Sequence, residues 1–230
     1  MGEDLRQRTI RTKLAGMAAS REDGLPTGLA FGPLPRRRIT ELFGPSGCGK
    51  TSLALSLVAH WQRAGGSAAW IDADRTFDPV YASALGVAVE MLPIAQPETA
   101  ERAFSILHQL ALSGAVDLLV VDSAAALVPA LELATALGGS SPGLQNRVLG
   151  SGLRKLATAL ARAGAAALFL NQTRMRAEEE SSAAGPALKL HAALRIALEH
   201  GPAPGCARFR VLKNKALGAF QEGEVRWKTP

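Results

Sequence analysis

Gly44, Gly49, Lys50 and Thr51 are spaced as GxxxxGKT inside the stretch ITELFGPSGCGKTSLALSL, residues 39–57. In that pattern backbone N–H groups curl around phosphates, the lysine ammonium reaches the β and γ oxygens, and the threonine hydroxyl meets Mg²⁺. The residue types follow from the chemistry. Glycine has no Cβ, so the turn can adopt positive φ and bring its amides close to an anion, and a helix starting at the turn adds the partial positive charge of its N-terminus. Gly44, Pro45, Ser46, Gly47, Cys48, Gly49, Lys50, Thr51 and Ser52 are therefore the candidate residues for a nucleoside triphosphate, with Thr51 on the metal. A second signal is Asp117, then Leu118, Leu119, Val120 and Val121, ending in Asp122 and Ser123. Four apolar residues leading into an aspartate describe a buried parallel strand that delivers a carboxylate beside the phosphate loop, where Asp122 can hold a Mg²⁺-bound water.

These groups need a strand before the glycine-rich turn and a helix after it. Ile39, Leu42 and Phe43 supply the first, and Leu53, Leu57 and Trp61 recur at helical spacing for the second. Residues 67–72 (SAAWID) read as a buried strand ending on acids, so that Asp72 and Asp74 stand where strand ends of an open α/β sheet face a ligand. Residues 76–85 read as a helix entered through Asp78 as cap and Pro79 at the first turn. A short strand at 92–94 and a helix over 98–112, stopped by Gly114, come next. Beyond Asp122 the pattern gives a short helix at 129–137, a loop at 138–143, and a long amphipathic helix at 144–162 carrying Arg147, Arg154 and Lys155. An apolar strand at 165–170 runs into Asn171 and Gln172, a polar loop spans 173–186, and strands follow at 194–198, 206–212 and 220–227. Alternating strands and helices followed by terminal hairpins argue an α/β fold, a mostly parallel central sheet flanked by helices with antiparallel edge strands.

Ahead of this core, Leu5, Ile10, Leu14 and Met17 form an incomplete apolar stripe among Arg6, Arg8, Arg11 and Lys13. Such a helix either lies on its own domain or docks on a neighbouring subunit. Residues 24–35 (GLPTGLAFGPLP) are turn and loop chemistry linking it to the core, which divides the chain into an N-terminal helix and linker (1–35) and a core (36–230).

A chain of 230 residues is one large domain or two small ones, and 47% apolar with 5% aromatic residues is ordinary for an α/β protein. Its net charge of +6 and pI near 9.8 permit a phosphate-rich partner. The basic residues cluster at 6–13, 36–38 and 208–215. No apolar run has membrane-spanning length, the N-terminus is too charged for a secretory signal, and Cys48 and Cys206 make no disulfide framework. A membrane is therefore not an expected partner, and a reducing cytoplasm is the natural setting.

From about residue 38 to 227 the chain resembles the ATPase core of the RecA recombinase family, in the separated segments GPSGCGKTSLAL, WIDADRTFDPVYASALGV, QPETAERAFSI, SGAVDLLVVDSAAALVP, GLRKLA, FLNQTRM, ALKLHAALRI and RVLKNKALGAF. The resemblance implies a RecA-like fold that binds ATP and Mg²⁺, hydrolyses ATP, binds single-stranded DNA in repair and recombination, and self-associates through ATP-bridged interfaces. It makes Lys50 and Thr51 the phosphate and magnesium residues and Asp122 the acid behind the magnesium water. It makes Tyr81 an adenine-stacking ring, where the plainer reading is a core aromatic under its helix. Asp74 stands where the family usually has a glutamate that activates the attacking water; being a methylene shorter, it implies slow hydrolysis. Gln172 resembles the γ-phosphate sensor, and Lys213 and Lys215 the pair that reaches a neighbour's ATP. Arg147 and Arg154, with Arg174, Met175 and Arg176, resemble the residues of the two DNA-binding loops.

Three departures qualify those expectations. Pro142 replaces a bulky residue of the first loop. Glu178, Glu179 and Glu180 place carboxylates near phosphates in the second, which opposes anion binding and implies weak DNA affinity. The resemblance also ends near Trp227, where family members continue into a domain that guides duplex DNA, so strand exchange does not follow from the core match. An alternative resemblance is to the ImuA-type accessory proteins of translesion mutagenesis, which implies co-assembly with a recombinase or polymerase complex. Finally, Cys48 sits near a helix N-terminus, a position that lowers a thiol pKa and would let oxidation block the nucleotide. The plainer reading is a small residue filling the turn.

Overall fold

The computed structural model describes residues 24–25, 27–136, 143–176, 179–182, 184–215 and 221–229. The expected N-terminal helix and the loop containing Pro142 lie outside them, as does Glu178. In chain order the strands are β1 (Gly24–Leu25), β2 (Leu34–Pro35), β3 (Ile39–Gly44), β4 (Ala68–Asp72), β5 (Ile94–Ala95), β6 (Leu118–Asp122), β7 (Ala166–Arg176), β8 (Glu179–Ser182), β9 (Leu194–His200), β10 (Cys206–Asn214) and β11 (Glu222–Arg226). The helices are α1 (Lys50–Arg63), α2 (Pro79–Ala84), α3 (Ala100–Ser113), α4 (Ala130–Ala134), α5 (Leu144–Ala163) and α6 (Pro186–His191).

Every residue of β3, β4 and β6 is buried. Strands that read ITELFG, AAWID and LLVVD can be satisfied only with both faces covered, the situation of a parallel sheet between helices. Across the sheet the order is β11, β10, β9, β3, β7, β6, β4, β5. β10 and β11 are antiparallel at one edge; the pairs from β9 to β5 are parallel. The sheet is thus mostly parallel with antiparallel edge strands, as the pattern argued.

The side-chain period of two splits the core into halves. Trp70, Leu118, Val120, Leu168 and Leu170 face α1 and its Leu53 and Val58. Ile71, Leu119, Val121 and Phe169 face the other way, against Phe104 and Leu107 of α3 and Leu153 and Leu160 of α5. Each such side chain contributes roughly 1.5–3 kcal/mol by leaving water.

Three local readings change. The 24–35 stretch is turn-rich, but Leu25, Phe31 and Leu34 are core residues, and Phe31 meets Phe209 edge-on at 5.6 Å. Its apolar residues have no helical or strand period, so only the tertiary fold reveals their burial. The strand expected to stop at Leu170 continues to Arg176 and folds back on β8, pairing Thr173 with Ser182 and Arg176 with Glu179. Polar residues in a hairpin off the main sheet carry no apolar alternation and therefore read as loop. α6 follows, entered by Pro186 at its first turn and too short to show a 3.6 period.

Where α3 crosses α5, a Cβ at Gly152 would overlap the Phe104 ring, which itself stacks at 6.4 Å on Phe169. Gly152→Ala is expected to destabilise the fold by about 1–2 kcal/mol, because overpacking outweighs the roughly 1 kcal/mol that alanine gains as a helix former. Denaturant unfolding measures the balance.

Candidate functional site

β3 ends at Gly44, and the chain then turns through Gly47 (φ 75) and Gly49 (φ 92) into α1. Both glycines hold left-handed backbone that a side chain would strain. The first turn of α1 has no side-chain cap and no acidic residue. Its free N–H groups and the positive end of its dipole are left to the loop, which fits a phosphate chain and no cation. Lys50 Nζ folds back over the turn and donates to the carbonyls of Gly44 (3.0 Å) and Pro45 (2.7 Å). It also donates weakly to Cys48 Sγ at 3.9 Å, and the two carbonyls are partners that an anionic oxygen can replace.

Across the sheet, Thr51 Oγ1 donates to Asp122 Oδ2 at 2.9 Å. The hydroxyl and carboxylate that a magnesium ion with its water would need thus stand together at the end of β6. Asp122 is 7% exposed. Burial pushes its carboxyl up to about 6; Asp74 and Asp72 push the same way, against the Thr51 hydrogen bond and Lys50.

Asp74 lies beside this pair. Its Oδ1 accepts from Ser123 N (3.3 Å) and Ser123 Oγ (3.1 Å), and the Ala73 and Asp74 amides both donate to Asp122 O. Buried Asp72 anchors the loop by accepting from Thr76 N, Phe77 N and Gln96 Nε2. Asp78 caps α2 through Val80 N and Tyr81 N, which brings the Tyr81 hydroxyl to 2.7 Å from Ser52 Oγ. Tyr81 is half-buried and packs on the core, so it meets α1 and also serves as the core aromatic of the plainer reading.

Gln172 is the register partner of Gly44, with its side chain exposed. Its N–H donates to Oδ1 of Asn171, whose Nδ2 donates to the fully buried Glu41. Glu41 also takes the Arg195 guanidinium, which lies 4.6 Å from the centroid of the Phe43 ring. A buried carboxylate thereby receives both an ion pair and an amide, as its desolvation requires.

The remaining expected residues lie elsewhere. Arg147 and Arg154 stand exposed, about two turns apart on α5. With Lys189, Leu190, Arg195 and Lys213 they line a groove of about 940 Å³. Lys213 Nζ closes the end of α6 by donating to Lys189 O and Leu190 O, and Lys215 N donates to Ala193 O. Burial, then Lys215 and Arg195, hold the Lys213 ammonium below its ordinary pKa. Within one chain, then, Lys213 joins the arginines of α5 in a groove that the phosphate loop does not line. Arg174, Met175 and Arg176 are on β7 in the hairpin, with Met175 opposite Glu180 in register. Lys189 and Arg195 were not singled out in the sequence, although both lie in the ALKLHAALRI segment. Of the two readings of Cys48, the turn-filling one fits better: the side chain is 3% exposed, and burial pushes its thiol up despite Lys50.

A family model described as the RecA N-terminal domain matches residues 6–226. Among curated relatives, Protein RecA of Thermus thermophilus is 42% identical over 93% of this chain and 69% of its own length. Protein RecA of Deinococcus radiodurans is 42% identical over 87% of the chain and 59% of its own length. That of Oceanobacillus iheyensis is 41% identical over 87% and 62%.

Raising the Asp122 carboxyl from 3.8 to about 6 makes its ionised form about 3 kcal/mol dearer in the fold than in the unfolded chain. A raised folded-state value means that this group favours the fold below pH 3.8 and that the benefit is lost as pH rises through about 6. Asp122→Asn is therefore expected to be more stable than the parent at pH 8, by about 1–3 kcal/mol, with the difference closing towards pH 4. Unfolding curves at the two pH values test it.

Proposed function

The chain belongs to the RecA family, and from that premise we propose that it binds ATP with Mg²⁺ at the phosphate loop and hydrolyses it slowly to ADP and phosphate, stimulated by single-stranded DNA, in DNA repair and recombination. The observation that carries this reading is the convergence of Lys50, Thr51, Asp122, Asp74 and Gln172 on one end of the parallel sheet.

The roles follow from the chemistry of each group. The loop amides and the Lys50 ammonium bind the phosphates, exchanging the carbonyls of Gly44 and Pro45 for anionic oxygens. Thr51 and Asp122 would hold the magnesium ion and its water, and that ion supplies neutralisation of phosphate charge. Asp74, held by Ser123, orients a water and accepts its proton as the water oxygen bonds to the γ-phosphorus and the bond to the β–γ bridging oxygen breaks. Its short reach makes this step slow. Gln172 donates an amide hydrogen bond to the γ-phosphate and loses it on hydrolysis, and its main-chain bond to Asn171 passes that change to the β7–β8 hairpin.

Single-stranded DNA lies along the groove of Arg147 and Arg154, continued by Arg174, Met175 and Arg176 of the hairpin. Glu179 and Glu180 on β8 weaken the attraction. Copies associate with Lys213 and Lys215 directed at a neighbour's triphosphate.

ATPase assays with and without single-stranded DNA test the reading directly. Stimulated turnover that Lys50→Ala abolishes is expected, and Asp74→Glu is expected to raise kcat by about tenfold. Turnover that DNA leaves unchanged overturns the DNA-dependent reading. For binding, the Arg147→Ala, Arg154→Ala double variant is expected to lower DNA affinity and to make the slope of log K against log salt shallower by about 1.4. A titration between low and moderate salt measures this.

A further inference from the structure

β3 ends at the phosphate loop and is entered, at the opposite end of the sheet, through the basic cluster of residues 36–38. The nucleotide and DNA readings leave that cluster unused. Arg36 is committed to the fold: its guanidinium pairs with Asp117 at 3.2 Å, reaches Gly164 O and lies 5.2 Å from the centroid of the Trp61 ring. Arg37 and Arg38 join the fold through their backbones, the Arg37 amide donating to Ala165 O and the Arg38 carbonyl accepting from Ala167 N, and both side chains are exposed. Arg37 holds left-handed backbone (φ 63), which glycine or asparagine adopts with less strain, so the turn itself gives no reason for an arginine.

Two more exposed arginines stand at this end. β3, β4 and β7 are parallel in one sheet, and α1 and α5 lead into β4 and β7, so both helices finish beside the strand entries. Their last turns carry Arg63 and Arg162. Trp61, beneath Arg36, belongs to the same turn as Arg63, and Ala165, bonded to Arg37, closely follows Arg162. Of the described acids nearby, Asp117 is taken by Arg36 and the Ser67 amide, and Glu90 lies in the turn before β5.

Helix dipoles account for Arg63 and Arg162 at their C-termini, but not for Arg37 and Arg38. Guanidinium forks bind carboxylates and phosphates through paired hydrogen bonds. Two observations favour carboxylates carried by a protein. This face combines arginines with a half-buried tryptophan, a mixture enriched where proteins meet, whereas the groove of Arg147 and Arg154 also includes Lys189 and Lys213. The carbonyl ends of α1 and α5 also lie here, and their partial negative charge opposes the close-set phosphates of a rigid duplex more than scattered carboxylates on a flexible chain.

We propose that the base of the sheet, at Arg37, Arg38, Arg63 and Arg162, is a docking face for an acidic, carboxylate-rich segment of a partner protein. It is separate from the phosphate loop and from the groove, so it stands or falls apart from the function proposed above.

A fluorescent oligoglutamate peptide is the probe, titrated onto the full chain by anisotropy at low and moderate salt. Binding that weakens with salt is expected, and replacing all four arginines (Arg37→Asn, Arg38→Gln, Arg63→Gln, Arg162→Gln) weakens it by roughly tenfold. The Arg37→Asn, Arg38→Gln pair alone, which leaves both helix ends intact, weakens it by about threefold. The Arg147→Ala, Arg154→Ala pair removes as much charge from another face and leaves peptide affinity at the parent value. A parent chain that does not bind the peptide overturns the proposal. So does equal weakening by the groove pair, which reduces the attraction to net charge. A fall in duplex DNA affinity as large as the fall in peptide affinity, on substituting Arg37 and Arg38, assigns the face to nucleic acid and overturns it too.

Discussion

The hydrogen bond from Thr51 to Asp122, 2.9 Å long between groups 71 residues apart, is the point on which the site depends. It requires β3 and β6 to end at the same level on the same side of the sheet, with β7 between them to set their separation. It also requires α1 to start immediately at the glycine turn, since one residue of delay would rotate Thr51 by about 100° away from β6. The strand order and the helix start both serve one placement: a hydroxyl and a carboxylate within bonding distance, in a position so buried that the carboxylate resists ionisation. A divalent ion there would be drawn to groups that water can scarcely solvate.

Much of this was legible in the residues. The phosphate loop announces itself because its backbone geometry demands glycine at fixed spacing. Asp122 was readable because four apolar residues leading into an acid, some seventy residues after the phosphate-loop pattern and with helical patterns between, suit a strand buried on both faces. The capping of α2 by Asp78 followed from Asp-Pro chemistry alone. The groups that escaped notice depend on contacts distant in the chain. Leu25, Phe31 and Leu34 are buried by strands that come much later, and no local period marks them. The β7–β8 hairpin is polar on a stretch where apolar alternation is the only strand signal. For Cys48 the helix N-terminus is visible in sequence, whereas the burial that outweighs it and pushes the thiol up is not.

Glu41 shows how the parts are bound together. It sits on the central strand with no exposure, receives Asn171 from β7 and Arg195 from β9, and so joins three adjacent strands below the phosphate loop. A buried carboxylate that lost the Arg195 guanidinium would be left uncompensated, at a cost of about 3–5 kcal/mol. Asn171 spends its other end on the Gln172 and Ala184 amides. The position of Gln172 is thereby determined by a side chain in the interior, while its own side chain is exposed.

Lys213 occupies a different kind of position. Its ammonium satisfies the last carbonyls of α6, the helix that carries Lys189 and the exposed Leu190. An anion that took that ammonium would strip the helix of its closing bonds, and refastening the helix would evict the anion. The firmness of a short helix and the occupancy of the groove by such an anion would then vary in opposite senses.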